Sequence, residues 1–65
     1  MYSHFRNVID QKGISPYRVS KDTGIPYGTL SDWKLGKSKP KVEKLKKIAV
    51  YLDIPLENLL REDGE

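Results

Sequence analysis

Sixty-five residues with no cysteine and a single histidine describe one domain, 1–65, that neither disulfides nor a thiolate or histidine metal cluster can staple. No apolar run approaches the roughly 20 residues of a membrane span, and no basic start followed by an apolar stretch marks a secretory signal. A cytoplasmic protein is therefore the expectation, and the formal net charge of +3 matters less than where its charges fall.

Phe5, Val8, Ile9 and Ile14 are spaced as the buried stripe of a first helix from about Tyr2 to Lys12, ended by Gly13. Ser15-Pro16 reads as a cap with proline in the first turn, opening a second helix to about Thr23. Gly24-Ile25 is a tight turn, and Pro26 begins a third helix running to about Leu35, where Gly36 stops it. Lys37-Ser38-Lys39-Pro40 is a polar loop. Val42, Leu45, Ile48, Ala49 and Leu52 recur at helical spacing and mark a fourth helix. Ile54-Pro55 restarts the chain into a short fifth helix carrying Leu56, Leu59 and Leu60. The last residues, Glu62 to Glu65, read as a frayed tail. No segment alternates as a strand does, so the fold class is all-α with five helices.

The stretch from Pro16 to Trp33 has a steric logic. Two short helices can cross steeply only where the residue at the crossing is small, and Ser20 is small. The turn between them needs a residue that enters positive φ cheaply, which Gly24 does. Val19, Ile25, Leu30 and Trp33 then face the core, so the opposite arc of the third helix looks outward. Charge follows the same geography. Lys34, Lys37, Lys39, Lys41, Lys44, Lys46 and Lys47 face only Asp32 and Glu43 in that stretch, whereas Arg61 stands alone among Asp53, Glu57, Glu62, Asp63 and Glu65. A basic middle beside an acidic end fits a polyanion-binding surface with a repelling far side. The plainer reading is a solvated lysine face kept for solubility.

From about Phe5 to Leu60 the chain resembles the Cro/cI-type helix-turn-helix domains of phage and bacterial repressors. The resemblance rests on Gly13-Ile14-Ser15, on Val19-Ser20 through Gly24-Ile25, and on Thr29-Leu30-Ser31-Asp32-Trp33. Gly36 through Pro40, Leu45 through Ala49 with Leu52, and Ile54 through Leu60 continue it. It implies a compact lambda-repressor-like fold with the third helix in the DNA major groove. The chain also departs from the pattern. Pro16 stands where the family often has a bracing glutamine, and Pro26 where it has a serine or threonine cap. Ile9 and Lys34 replace an arginine and glutamate that many members pair. Both partners are gone together, which leaves no unpaired buried charge.

The resemblance implies base reading by Tyr27, Gly28, Thr29 and Asp32. Tyr27 offers a hydroxyl and a ring for a thymine methyl, Thr29 a methyl and a hydroxyl, and Asp32 an acceptor for a cytosine amino group. Gly28 reads as a gap that permits close approach. Phosphate contacts are expected from Tyr17 and Arg18 at the start of the second helix, and from Ser31, Lys37, Ser38, Lys39 and Lys41 around the following loop. Each has a structural alternative: Tyr27 covers the core edge, Asp32 pairs with a surface lysine, and any single lysine is a solvated charge, the reading preferred for Lys46. His4 reads as a surface residue. No nucleophile elbow, carboxylate pair or phosphate loop occurs, so neither enzyme chemistry nor a cofactor is expected.

The implied function is a sequence-specific regulator of transcription, a repressor bound to double-stranded, pseudo-palindromic operator DNA. Weak self-association is expected through the last helix, with Leu56, Leu59, Leu60 and nearby Tyr51, unless those leucines only close the core. The rival is a protein-interaction adaptor that keeps the fold without reading DNA, motivated by Pro16, Gly28 and Asp32.

Overall fold

The computed structural model describes residues 2–60, and the tail lies outside them. Five α-helices follow one another: α1 Tyr2–Lys12, α2 Pro16–Thr23, α3 Tyr27–Lys34, α4 Val42–Leu52 and α5 Leu56–Leu60. No strand occurs among the described residues. Helix α2 packs on α3 and α4, and α5 closes the bundle against α4 and α1.

The helix ends obey the local rules. Gly13, at φ 71°, ends α1 in the left-handed region; the amide of Ile14 then reaches back to the Ile9 carbonyl at 2.9 Å, which satisfies a terminal acceptor. Ser15, extended at ψ 157°, caps α2 by accepting from the Arg18 amide at 3.1 Å. Helix α3 is one residue shorter at each end than the sequence pattern predicts. Pro26 precedes it with ψ 138°, and Leu35 follows as its C-cap. Proline sits there because an N-cap needs no amide hydrogen and tolerates extended ψ. Asp53 ends α4 at φ 59°, a left-handed position that short polar side chains enter more readily than most.

The core gathers Phe5 and Ile9 of α1, Val19 of α2, Ile25 of the turn, Leu30 and Trp33 of α3, and Leu45, Ile48, Ala49 and Leu52 of α4. Leu59 of α5 completes it. Two expectations are corrected at its rim. Val8 of α1 and Ile14, which lies past the end of that helix, are only partly buried and pack against the core from its rim. Val42 is 55 % exposed, since it lies at the first position of α4, above the turn that meets the core. Conversely Pro40, read as part of a polar loop, is buried.

An aromatic cluster ties α1 to α3. The Phe5 ring lies 5.3 Å from Trp33 and 5.5 Å from Tyr2, with Tyr2 edge-on to Trp33 at 5.5 Å. Tilted and edge-to-face pairs at such distances add to the area they bury.

Candidate nucleic-acid interface

The turn between α2 and α3 sets the site. Gly24 takes φ 79°, and its amide donates to the Ser20 carbonyl at 2.9 Å. The Ser20 hydroxyl donates to the Ile25 carbonyl at 2.6 Å, and the Thr23 hydroxyl donates to the Val19 carbonyl at 2.7 Å while accepting from the Ile25 amide at 3.3 Å. Ser20 is thus more than small: its hydroxyl satisfies a carbonyl that the turn would otherwise orphan. With the turn closed in this way, Ile25, Leu30 and Trp33 anchor α3 in the core.

The free end of α3 therefore faces outward. Tyr27 is 52 % exposed, Gly28 is exposed, and Thr29, Ser31 and Asp32 are half-buried. Pro26 makes no side-chain cap, so the first amides of α3 point their partial positive charge away from the helix. No lysine pairs with the Asp32 carboxylate among the described residues, leaving it an available acceptor. A Cβ built on Gly28 meets nothing within 4 Å. Core packing does not require glycine there, so Gly28→Ala is expected to raise stability by about 0.5–1 kcal/mol through helix propensity. Thermal melting checks this, and an unchanged or lower melting temperature would contradict it.

After α3 the chain folds back on itself. The amides of Lys37 and Ser38 both approach the Asp32 carbonyl, at 2.8 and 3.4 Å. Those amides are accordingly committed to the protein. What the loop presents is side chains: Lys37, Ser38, Lys39 and Lys41 are all exposed. Lys41 is the N-cap of α4 and makes no side-chain cap, so the first amides of that helix add to the same positive field.

This geometry belongs to a known pattern. A helix-turn-helix family model matches residues 5–59, nearly all of the described chain. The chain belongs to the Cro/cI-type helix-turn-helix family. No curated protein and no solved structure matches it significantly. The family is DNA-binding, which makes this helix-turn-helix protein a DNA-binding regulator in general terms.

On the helix-turn-helix frame, α2 carries its own cluster of charge. Arg18 Nε donates to Asp22 Oδ2 at 3.0 Å, and the Tyr51 hydroxyl of α4 donates to the same oxygen. Arg18 is thus braced along the helix, with most of its side chain still exposed. The Tyr51 bond, with Arg18 adding to it against partial burial, holds the Asp22 carboxyl below its usual range. The same bond raises the Tyr51 phenol. A carboxyl depressed in the fold contributes stability that is present above its ordinary range and lost as pH falls through the folded value. Asp22→Asn is therefore expected to melt below the parent near pH 7, with the gap closing below about pH 4. Melts across that window check it; a gap independent of pH would contradict it.

Sequence reasoning missed three features. The cluster of Arg18, Asp22 and Tyr51 depends on a contact between residues 29 apart. Lys21 holds its ammonium 5.7 Å from the Tyr17 ring centroid, a contact that the i, i+4 spacing on α2 allows. A groove of about 250 Å³ between α1 and α3 sets Arg6 and Lys34 beside Tyr27 and Ser31, and no local signal links Arg6 to that face. At the other end, Leu59 is fully buried and Leu56 packs on the core. The leucine surface expected on α5 therefore reduces to Leu60, which is 42 % exposed.

Proposed function

We propose that this protein is a sequence-specific repressor that reads the DNA major groove with α3. The observation that carries the reading is the outward face of α3: Tyr27, Gly28, Thr29 and Asp32 stand opposite buried Leu30 and Trp33, with exposed lysines immediately after them. Tyr27, Thr29 and Asp32 supply a ring, a methyl, hydroxyls and a carboxylate acceptor to base edges, and Gly28 lets the backbone approach. Lys37, Ser38, Lys39 and Lys41 hold the phosphates on one side of the groove, and Tyr17, Arg18 and Ser31 complete the set.

One helix this short reads few bases, so specificity calls for two copies on half-sites about 34 Å apart. The domain's longest extent is 30 Å, shorter than that spacing, which leaves little area for contact between the copies. Weak self-association through the end of the bundle near exposed Leu60, tightened by DNA, is part of this reading. Repression would result from occupying a promoter site that polymerase needs.

The test is binding to random-sequence duplexes across a salt series, with selection of the bound sequences. A steep salt dependence with an enriched two-fold repeat is the expected result. Binding without an enriched motif would reject sequence-specific reading. No binding at low salt would reject DNA binding itself and return the adaptor reading.

A further inference from the structure

Tyr17 and Tyr27 stand on different helices, yet their rings meet edge-to-face with centroids 6.4 Å apart. Both remain largely in solvent, Tyr17 at 61 % and Tyr27 at 52 % exposure. The pair is a surface feature that bridges the first turns of α2 and α3. Lys21, one turn along α2, places its ammonium 5.7 Å from the centre of the Tyr17 ring, within reach of a cation–π attraction. The three side chains form a row, Lys21 to Tyr17 to Tyr27, that ends on the first residue of α3.

Such a row restricts Tyr27. A tyrosine has two side-chain torsions, and an exposed one at a helix start samples several rotamers. Contact with the Tyr17 ring favours one of them before DNA arrives, which lowers the ordering cost of binding. Beside it, Gly28 has no side chain to obstruct an approaching base pair. A ring held in place at this point offers chiefly an apolar surface. The apolar group that a base pair presents in the major groove is the C5-methyl of a pyrimidine.

Resting on the DNA-reading function above, we propose that Tyr17 is a positioning residue that holds Tyr27 against a pyrimidine C5-methyl group. Tyr17 thereby sets base preference in addition to any phosphate contact of its own hydroxyl. The two roles separate cleanly. A phosphate contact changes affinity for all sequences alike, whereas positioning changes discrimination between bases.

The experiment uses the duplex selected by the unaltered protein, with each thymine of the site replaced in turn by uracil, which lacks only the methyl. At one thymine per half-site the unaltered protein is expected to lose about fourfold in affinity, the worth of one methyl-sized apolar group. Tyr17→Phe keeps the ring and is expected to keep that ratio, whatever happens to overall affinity. Tyr17→Ala and Tyr27→Ala are each expected to bring the ratio near one, and the double variant to show the same ratio as Tyr27→Ala. Thermal melts confirm that all four variants are folded. If Tyr17→Ala keeps the thymine-to-uracil ratio, the positioning role is overturned while DNA reading stands. If the unaltered protein shows no methyl dependence at any thymine, the methyl contact is overturned in the same way. Failure to select any sequence overturns both this proposal and the function on which it rests.

Discussion

Phe5→Ala is expected to bring the domain to the edge of unfolding. Phe5 is fully buried, and its ring touches both Tyr2 and Trp33. Truncating a buried phenylalanine costs about 3–5 kcal/mol, because the lost transfer energy is joined by the cavity left behind. At about 0.05–0.15 kcal/mol per residue, a chain of this length has roughly 3–10 kcal/mol to lose. In a domain this small each kcal/mol moves the melting temperature by about 4–8 °C, so a fall of at least about 12 °C is expected. Circular dichroism melts measure it directly. Val50→Ala is the matched control: Val50 is 81 % exposed on α4, and its truncation should change stability by no more than about 0.5 kcal/mol. A small effect of Phe5→Ala, comparable with that control, would show that the aromatic cluster does not organise the core.

The second large effect is on DNA. Lys37, Lys39 and Lys41 are exposed, and no carboxylate pairs with them among the described residues. Each phosphate they neutralise adds about 0.9 to the slope of log affinity against log salt. Replacing all three by glutamine is expected to flatten that slope by about 2.7 and to weaken binding on the order of a hundredfold near 0.1 M salt. Folding should not suffer. A cation at the N-cap of α4 opposes the helix dipole, so removing Lys41 is neutral or mildly stabilising. Lys46→Gln is the control for a solvated lysine and should leave the slope nearly unchanged. An unaltered slope in the triple variant would remove the loop from the interface; a collapse of the fold would assign these lysines a structural role.

Much of this architecture was legible in the sequence because its signals are local. Gly13, Ser15, Gly24 and Gly36 mark helix ends through backbone conformation and capping, which depend on a few neighbouring residues. The buried positions of α3 and α4 followed from helical periodicity, and their outward faces followed by elimination. Boundaries slipped by a residue at Pro26 and Leu35, where a cap and a first helical residue look alike in sequence. Val42 and Pro40 exchanged roles for a different reason. Periodicity gives the side of a helix, whereas burial at its first turn depends on how the incoming loop crosses the core.

The sequence by itself determined the five helices, the glycine turn, most of the buried stripe and the basic middle, together with the family to which they belong. Those features rest on backbone preference and on spacing along one helix. Only the tertiary structure decided which side chains meet across helices. Tyr17 against Tyr27, Tyr51 on Asp22, and Arg6 and Lys34 in one groove all depend on crossing angles and rotamers. The same is true of Leu59, which the sequence left open between a self-association surface and the core and which packing buries. Packing of the whole bundle sets those angles, and no segment read alone contains them.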